Sequence, residues 1–232
     1  MGNQLAQPQK LQSDHLAELP NVVLKDSLGG GRFLKTALCV HDDGALVVVK
    51  VYYKREDSPD LHRYEQSLGK IRDQLSLQEG PAEAHAWPFQ RFLQTDRAVY
   101  LLRQHVFSNL HDRLSTRPFL NDVEKRWLVF QLLHAVAHAH SKGICHGDIK
   151  AENCLVTSWG WLFLTDFAPY KPTLLPADNP ANFSFFFDTG GRRRCYIAPE
   201  RFYESAAGDA KDPEQPLKPS MDIFSLGCTI AE

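Results

Sequence analysis

The stretch that most constrains the fold is His146-Gly147-Asp148-Ile149-Lys150-Ala151-Glu152-Asn153, followed by Asp166-Phe167-Ala168. Asp148, Lys150 and Asn153 share one loop, and the apolar hairpin over residues 154–165 can return the chain so that Asp166 faces the same cleft. Taken singly, Asp148 and Asp166 read as turn or cap residues. Together these groups match what phosphoryl transfer from a nucleotide requires, which is positioning and charge stabilisation rather than covalent chemistry. Asp148 can accept the proton of an acceptor hydroxyl. Lys150 can offset phosphate charge, and Asn153 with Asp166 can hold Mg2+ through oxygen.

The surrounding pattern places this loop between a strand-rich half and a helical half. Asn121 or Asp122 can cap a helix, with Glu124 placed as in a capping box. Trp127, Phe130, Leu133, Val136, Ala137 and His140 then recur at helical spacing until Gly143 supplies a stop. The helix is apolar around much of its girth, which predicts a central core helix. Upstream, Asp42-Asp43-Gly44 is a hairpin signal before the run Leu46-Val47-Val48-Val49-Lys50-Val51-Tyr52. A polar break over Glu56–Asp60, with Pro59, precedes an expected helix from Leu61 to Leu77, and Ala98–Leu102 reads as a further strand. The expected organisation is a flexible tail over 1–20, a β-rich lobe over 21–105 and a helical lobe over 106–232, joined near Arg103–Phe107.

Bulk properties narrow the function classes. Basic and acidic residues nearly balance, for a formal charge of -2, so nucleic acid is not an expected partner. The five cysteines form no CxxC pair and suggest reduced thiols rather than a disulfide or zinc framework. Their reduced state and the lack of a visible signal peptide predict a cytoplasmic protein. Met1-Gly2 meets the first requirement for N-myristoylation, with Ala6 standing where Ser or Thr is usual.

His146-x-Asp148-x-Lys150-x-x-Asn153 and Asp166-Phe167 resemble the catalytic loop and metal-binding motif of protein kinases. Ala198-Pro199-Glu200 resembles the end of the kinase activation segment. Asp222-Ile223-Phe224-Ser225-Leu226-Gly227 resembles the helix whose Asp braces the catalytic loop. The resemblance implies an α+β bilobal protein-kinase fold that binds ATP, or another purine nucleotide such as GTP, with Mg2+. It also implies a role for each site residue. Asp148 and Lys150 are catalytic, Asn153 and Asp166 hold metal, and Lys50 contacts the α/β-phosphates. Gly29, Gly30 and Gly31 form the flap over them, with Leu34 at the position of a third glycine. Glu65 is the expected ion-pair partner of Lys50, with Asp60 and Asp73 as competitors.

Further segments sharpen the resemblance. Met1-Gly2-Asn3-Gln4-Leu5-Ala6, Ser115-Thr116-Arg117-Pro118-Phe119-Leu120-Asn121 and Leu164-Thr165-Asp166-Phe167-Ala168 resemble one family. It is the protein-kinase-like regulatory subunit of the class III phosphatidylinositol 3-kinase complex, of the vacuolar-protein-sorting type. This implies a serine/threonine kinase, myristoylated at Gly2, bound to the lipid-kinase catalytic subunit. It also implies a peripheral place on endosomal and autophagosomal membranes, in sorting and autophagy. The resemblance further implies that the helical lobe is truncated at Glu232. Three departures qualify catalysis: Gly147 replaces the usual Arg, Ala168 the usual Gly, and Leu34 the third glycine of the flap. Two functions remain open, an active kinase and a nucleotide-binding scaffold that restrains the lipid kinase, while a third reading, an ordinary signalling kinase, suffers from the same departures. Phe183, Phe185, Phe186 and Phe187 predict either a self-packed insert or a docking surface.

Overall fold

The computed structural model describes residues 16–30, 32–54, 61–75, 85–187, 195–203 and 215–232. Gly2, Gly31, the break over Glu56–Asp60, Thr189 and Arg192–Arg194 lie outside the described residues. In the first lobe, β1 (Val22–Gly30), β2 (Lys35–His41), β3 (Leu46–Tyr53), β5 (Arg91–Gln94) and β6 (Ala98–Gln104) build an antiparallel sheet in the order β1-β2-β3-β6-β5. The expected hairpin closes at Gly44, whose φ of 85° is open to glycine, with Asp43 Oδ1 accepting from the Ala45 N–H at 2.9 Å. Strand alternation then divides β3. Val49 and Val51 face a core with Ala37, Cys39, Ala98 and Tyr100, while Val48 and Lys50 face the cleft.

Leu16 and Leu19 are buried in that same core. The segment expected to be a tail is therefore anchored at its far end. Each leucine removes apolar surface from water, worth roughly 1.5–3 kcal/mol for a fully buried side chain. One helix, α1 (His62–Gln74), lies beside the sheet and is shorter than expected. It buries Leu68 and Ile71.

The second lobe is built on a four-stranded sheet in the order β4-β9-β8-β7, formed by β4 (Ala86–Trp87), β7 (Ser108–Asn109), β8 (Cys154–Val156) and β9 (Leu162–Thr165). Around it lie α2 (Leu110–Ser115), α3 (Asp122–Ser141), α4 (Pro180–Phe186) and α5 (Pro219–Ala231), with β10 (Leu175–Pro176) paired in parallel to β11 (Phe202–Tyr203). The capping box at α3 forms as expected, Asn121 Oδ1 accepting from the Glu124 N–H at 2.9 Å and Glu124 answering at 2.8 Å. The burial of α3 differs from expectation. Leu128, Leu132, Ala135, Val136 and Ala139 form one packed face, whereas Trp127, Phe130 and Leu133 are about half exposed. An all-round apolar composition does not require all-round burial, because only the part of the helix facing β9, β4 and α5 is covered. Gln131, fully buried, donates to Gly160 O at 2.8 Å and accepts from the Leu162 N–H at 3.0 Å, tying the β8–β9 hairpin to the helix.

Candidate active site

After α3, the loop carrying Asp148 is held from below by Asp222 on α5. Asp222 accepts from the backbone N–H groups of His146 and Gly147 at 2.7 and 2.9 Å, and its Oδ2 lies 3.0 Å from His140 Nε2. His146 is a positioning residue. Its Nδ1 accepts from the Asp148 N–H at 3.1 Å, so Nε2 carries the proton and donates to Thr165 O at 2.7 Å. The His146 ring also packs on Phe167, with centroids 4.6 Å apart. These contacts make the loop and the segment before Asp166 one unit.

Gly147 adopts a φ of 84°, and an added Cβ would meet Leu217 Cδ1 at 2.9 Å. The position therefore favours glycine on steric grounds as well as lacking the usual Arg charge. Arg201, absent from the expected site, supplies a cation here. Almost fully buried, it donates to Gly147 O (2.9 Å), Thr173 O (2.8 Å) and Pro172 O (2.9 Å), joining the loop of Asp148 to the segment that follows Asp166. Ala168 is buried against Leu68, Phe89, Leu101 and Tyr170. The left-handed residue of the motif is Asp166, at φ 63°, so the Cβ of Ala168 costs nothing in that region.

Asp148 Oδ2 accepts from Lys171 Nζ at 2.8 Å and lies 3.7 Å from Lys150 Nζ. Asn153 Nδ2 donates to Asp148 O at 2.7 Å and reaches Oδ2 at 3.2 Å, which leaves the Asn153 amide oxygen for a cation. Asp166 places Oδ2 on Lys50 Nζ at 2.7 Å and Oδ1 on Arg103 Nε at 3.0 Å. Burial alone would raise both carboxyls. Lys171 and Lys150 outweigh it at Asp148, and Lys50 and Arg103 at Asp166, holding both well below the ordinary carboxylate range.

The expected Lys50–Glu65 pair is corrected by this geometry. Lys50 is drawn into the buried cleft by Asp166, while Glu65 lies half exposed on α1, 3.7 Å from His62 Nδ1. Asp166 is the stronger partner because the cleft is desolvated, which strengthens a close pair. Gly29 lines the cleft, with Phe33 and Leu34 beyond it. Phe33 packs on Tyr170 (5.8 Å), Phe185 (5.6 Å) and Phe186 (5.0 Å), so the phenylalanines of α4 pack within the domain. Phe187 is fully buried, with Lys171 Nζ 4.5 Å and Arg201 5.3 Å from its ring centre.

One cavity of about 510 Å3 is lined by Gly29, Lys50, Asp148, Lys150, Asn153 and Asp166. On its wall, the Asp166 carboxylate and the Asn153 amide oxygen form a hard donor set that suits Mg2+, which keeps its remaining positions for water and phosphate oxygen. Arg103, Lys171 and Arg201 were the site residues that motif spacing did not reveal. Position relative to Asp166 and Glu200 hints at Lys171 and Arg201. Arg103 carries a weaker signal, a lone charge ending the apolar run Ala98–Leu102.

Acid should weaken the fold in stages. Burial lowers the pKa of His146, and also of His85 and His105. Their unfolded forms bind protons first, so stability should begin to fall as pH drops below about 6.5. The depressed Asp148 and Asp166 retain their contribution until pH passes below about 4, then lose it. Unfolding midpoints measured against pH test this; a midpoint constant down to pH of about 4 would contradict the histidine stage.

A protein kinase domain profile matches residues 22–232. The chain is 58% identical over 237 residues to "Serine/threonine-protein kinase VPS15" of Arabidopsis thaliana, covering 100% of this chain and 16% of that protein. Identity is 51% over 233 residues to "Probable serine/threonine-protein kinase vps15" of Dictyostelium discoideum, covering 100% of this chain and 12% of that protein. Against "Serine/threonine-protein kinase VPS15" of Saccharomyces cerevisiae it is 44% over 239 residues, covering 100% of this chain and 16% of that protein.

Proposed function

Because the chain belongs to the protein kinase family, and within it to the VPS15 serine/threonine-protein kinases, we propose that its cleft binds Mg2+-nucleotide for phosphotransfer to a serine or threonine hydroxyl. The observation that carries this is the single cavity lined by Gly29, Lys50, Asp148, Lys150, Asn153 and Asp166. Lys50 can exchange Asp166 for phosphate oxygen, since an ammonium on a flexible stem is a mobile point charge. Asp148 orients the acceptor hydroxyl and receives its proton, and Lys150 stabilises the transferred charge. Asn153 and Asp166 would hold Mg2+, which supplies charge neutralisation at the phosphates.

The proposal extends to the whole protein as the regulatory subunit of a class III phosphatidylinositol 3-kinase complex, in endosomal sorting and autophagy. A myristoyl chain on Gly2 would give weak membrane attachment, with the complex supplying the rest. A second function, a nucleotide-binding scaffold that restrains the lipid kinase, is favoured by one observation. Lys171 occupies the Asp148 carboxylate at 2.8 Å, so it must leave before that carboxylate can take the proton of an acceptor hydroxyl.

Lys50→Met is the direct test of nucleotide binding. Photolabelling of this polypeptide by 8-azido-ATP or 8-azido-GTP in the full-length protein should need about tenfold more nucleotide, the worth of one charge-assisted contact. Unchanged half-saturation would remove the cleft from consideration.

A further inference from the structure

We infer that Arg103 is a built-in counter-charge for Asp166, which lets this site hold a polyphosphate with little dependence on divalent metal. The inference rests on the nucleotide site proposed above and concerns how that site balances charge. In the register of β3 and β6, Arg103 stands opposite Val48 and Leu101 opposite Lys50. Directly opposed residues share a sheet face. Arg103 and Lys50 therefore enter the cleft side by side, and both line its cavity.

Nothing in the packing of β6 calls for a charge there. Ala98, Val99, Tyr100, Leu101 and Leu102 precede Arg103 as a buried run, and Arg103 itself is only 7% exposed. Burying a guanidinium carries a desolvation cost that an apolar side chain avoids, so its partner has to repay it. That partner is Asp166 Oδ1 at 3.0 Å, with Gln104 O receiving Nη1 at 3.2 Å. Since Lys50 holds Oδ2, both oxygens of the expected metal ligand already carry a resident cation.

The two cations differ in how readily they can leave. Lys50 ends a flexible stem and can move to phosphate. The Arg103 fork spans a carboxylate and a backbone carbonyl at once, so departure would leave a buried guanidinium unpaired. Asp166 therefore stays compensated when nucleotide enters. It repels phosphate less without metal, and it attracts Mg2+ less, an ion that dehydrates reluctantly. Across the cavity wall, Arg103 with Lys50, Lys150 and Lys171 balances Asp112, Asp148, Glu152 and Asp166. Losing Arg103 would leave the acids in excess.

The test compares half-saturation for photolabelling of this polypeptide by 8-azido-ATP and 8-azido-GTP, in excess Mg2+ and in EDTA. It uses full-length protein with its copurifying subunits. Wild type should change by no more than about threefold between the two conditions, less than one full charge contact. Arg103→Met should raise the ratio of half-saturation in EDTA to that in Mg2+ to about tenfold, whatever its affinity in Mg2+. Arg103→Lys, which keeps the charge, should stay near the wild-type ratio and guards against a folding defect in the Met variant. A metal ratio of about tenfold or more in wild type would overturn the inference by itself, since that is the worth of a full charge contact. Equal weakening of Arg103→Met in both conditions would overturn it too, by showing a purely structural role. Absence of labelling in both conditions would sink the nucleotide site, and the inference with it.

Discussion

Asp148→Ala in the full-length protein is expected to lower phosphate transfer to serine or threonine by about two to four orders of magnitude, the range for losing a positioned proton acceptor. The substitution should leave the loop in place, because its anchors are not the Asp148 side chain. The backbone N–H of Asp148 is held by His146 Nδ1, and its carbonyl by Asn153 Nδ2. Asp222 secures the two residues before it. What is lost is the carboxylate and the partner of Lys171. Initial rates of labelled phosphate incorporation measure the effect, with nucleotide photolabelling as the control for binding. A severalfold change or less, with binding intact, would assign the domain to scaffolding.

The largest stability effect is expected at Arg201. Arg201→Met leaves Gly147 O, Thr173 O and Pro172 O without their donor in a buried setting. Each buried acceptor left unpaired costs about 1–3 kcal/mol, and partial access of water to Pro172 reduces the sum, giving a loss of about 3–5 kcal/mol. The cation over Phe187 is removed as well. Urea unfolding reads this as a lower midpoint at unchanged slope. Arg201→Lys should recover only part of the loss, since an ammonium cannot span carbonyls that a planar fork reaches together. A loss below about 1 kcal/mol would mean that water replaces the arginine, and the proposed lock between catalytic loop and activation segment would be wrong.

Arg201 also shows what motif spacing can and cannot carry. It follows Ala198-Pro199-Glu200 directly, so its place in the chain was plain. Its role was not, because the carbonyls it binds lie 28, 29 and 54 positions away. Gly147 illustrates the converse. A missing Arg charge was readable from the chain, while the positive φ and the approach of Leu217 became visible only in three dimensions.

Local sequence determined the features whose causes are local. The Asp42-Asp43-Gly44 turn, the capping box of α3, the alternation that sets Lys50 apart from Val49 and Val51, and the grouping of Asp148, Lys150 and Asn153 on one segment depend on neighbours within a few residues. Tertiary structure alone decided which acid answers Lys50. Glu65, Asp60 and Asp73 were nearer in the chain, yet the partner is Asp166, separated by 116 positions. Coulomb attraction depends on distance and desolvation, and neither is written in a one-dimensional pattern. The same cause brought Arg103 to that carboxylate, so the loop and Asp166 specified the kind of site, and the packed cleft set its charge balance.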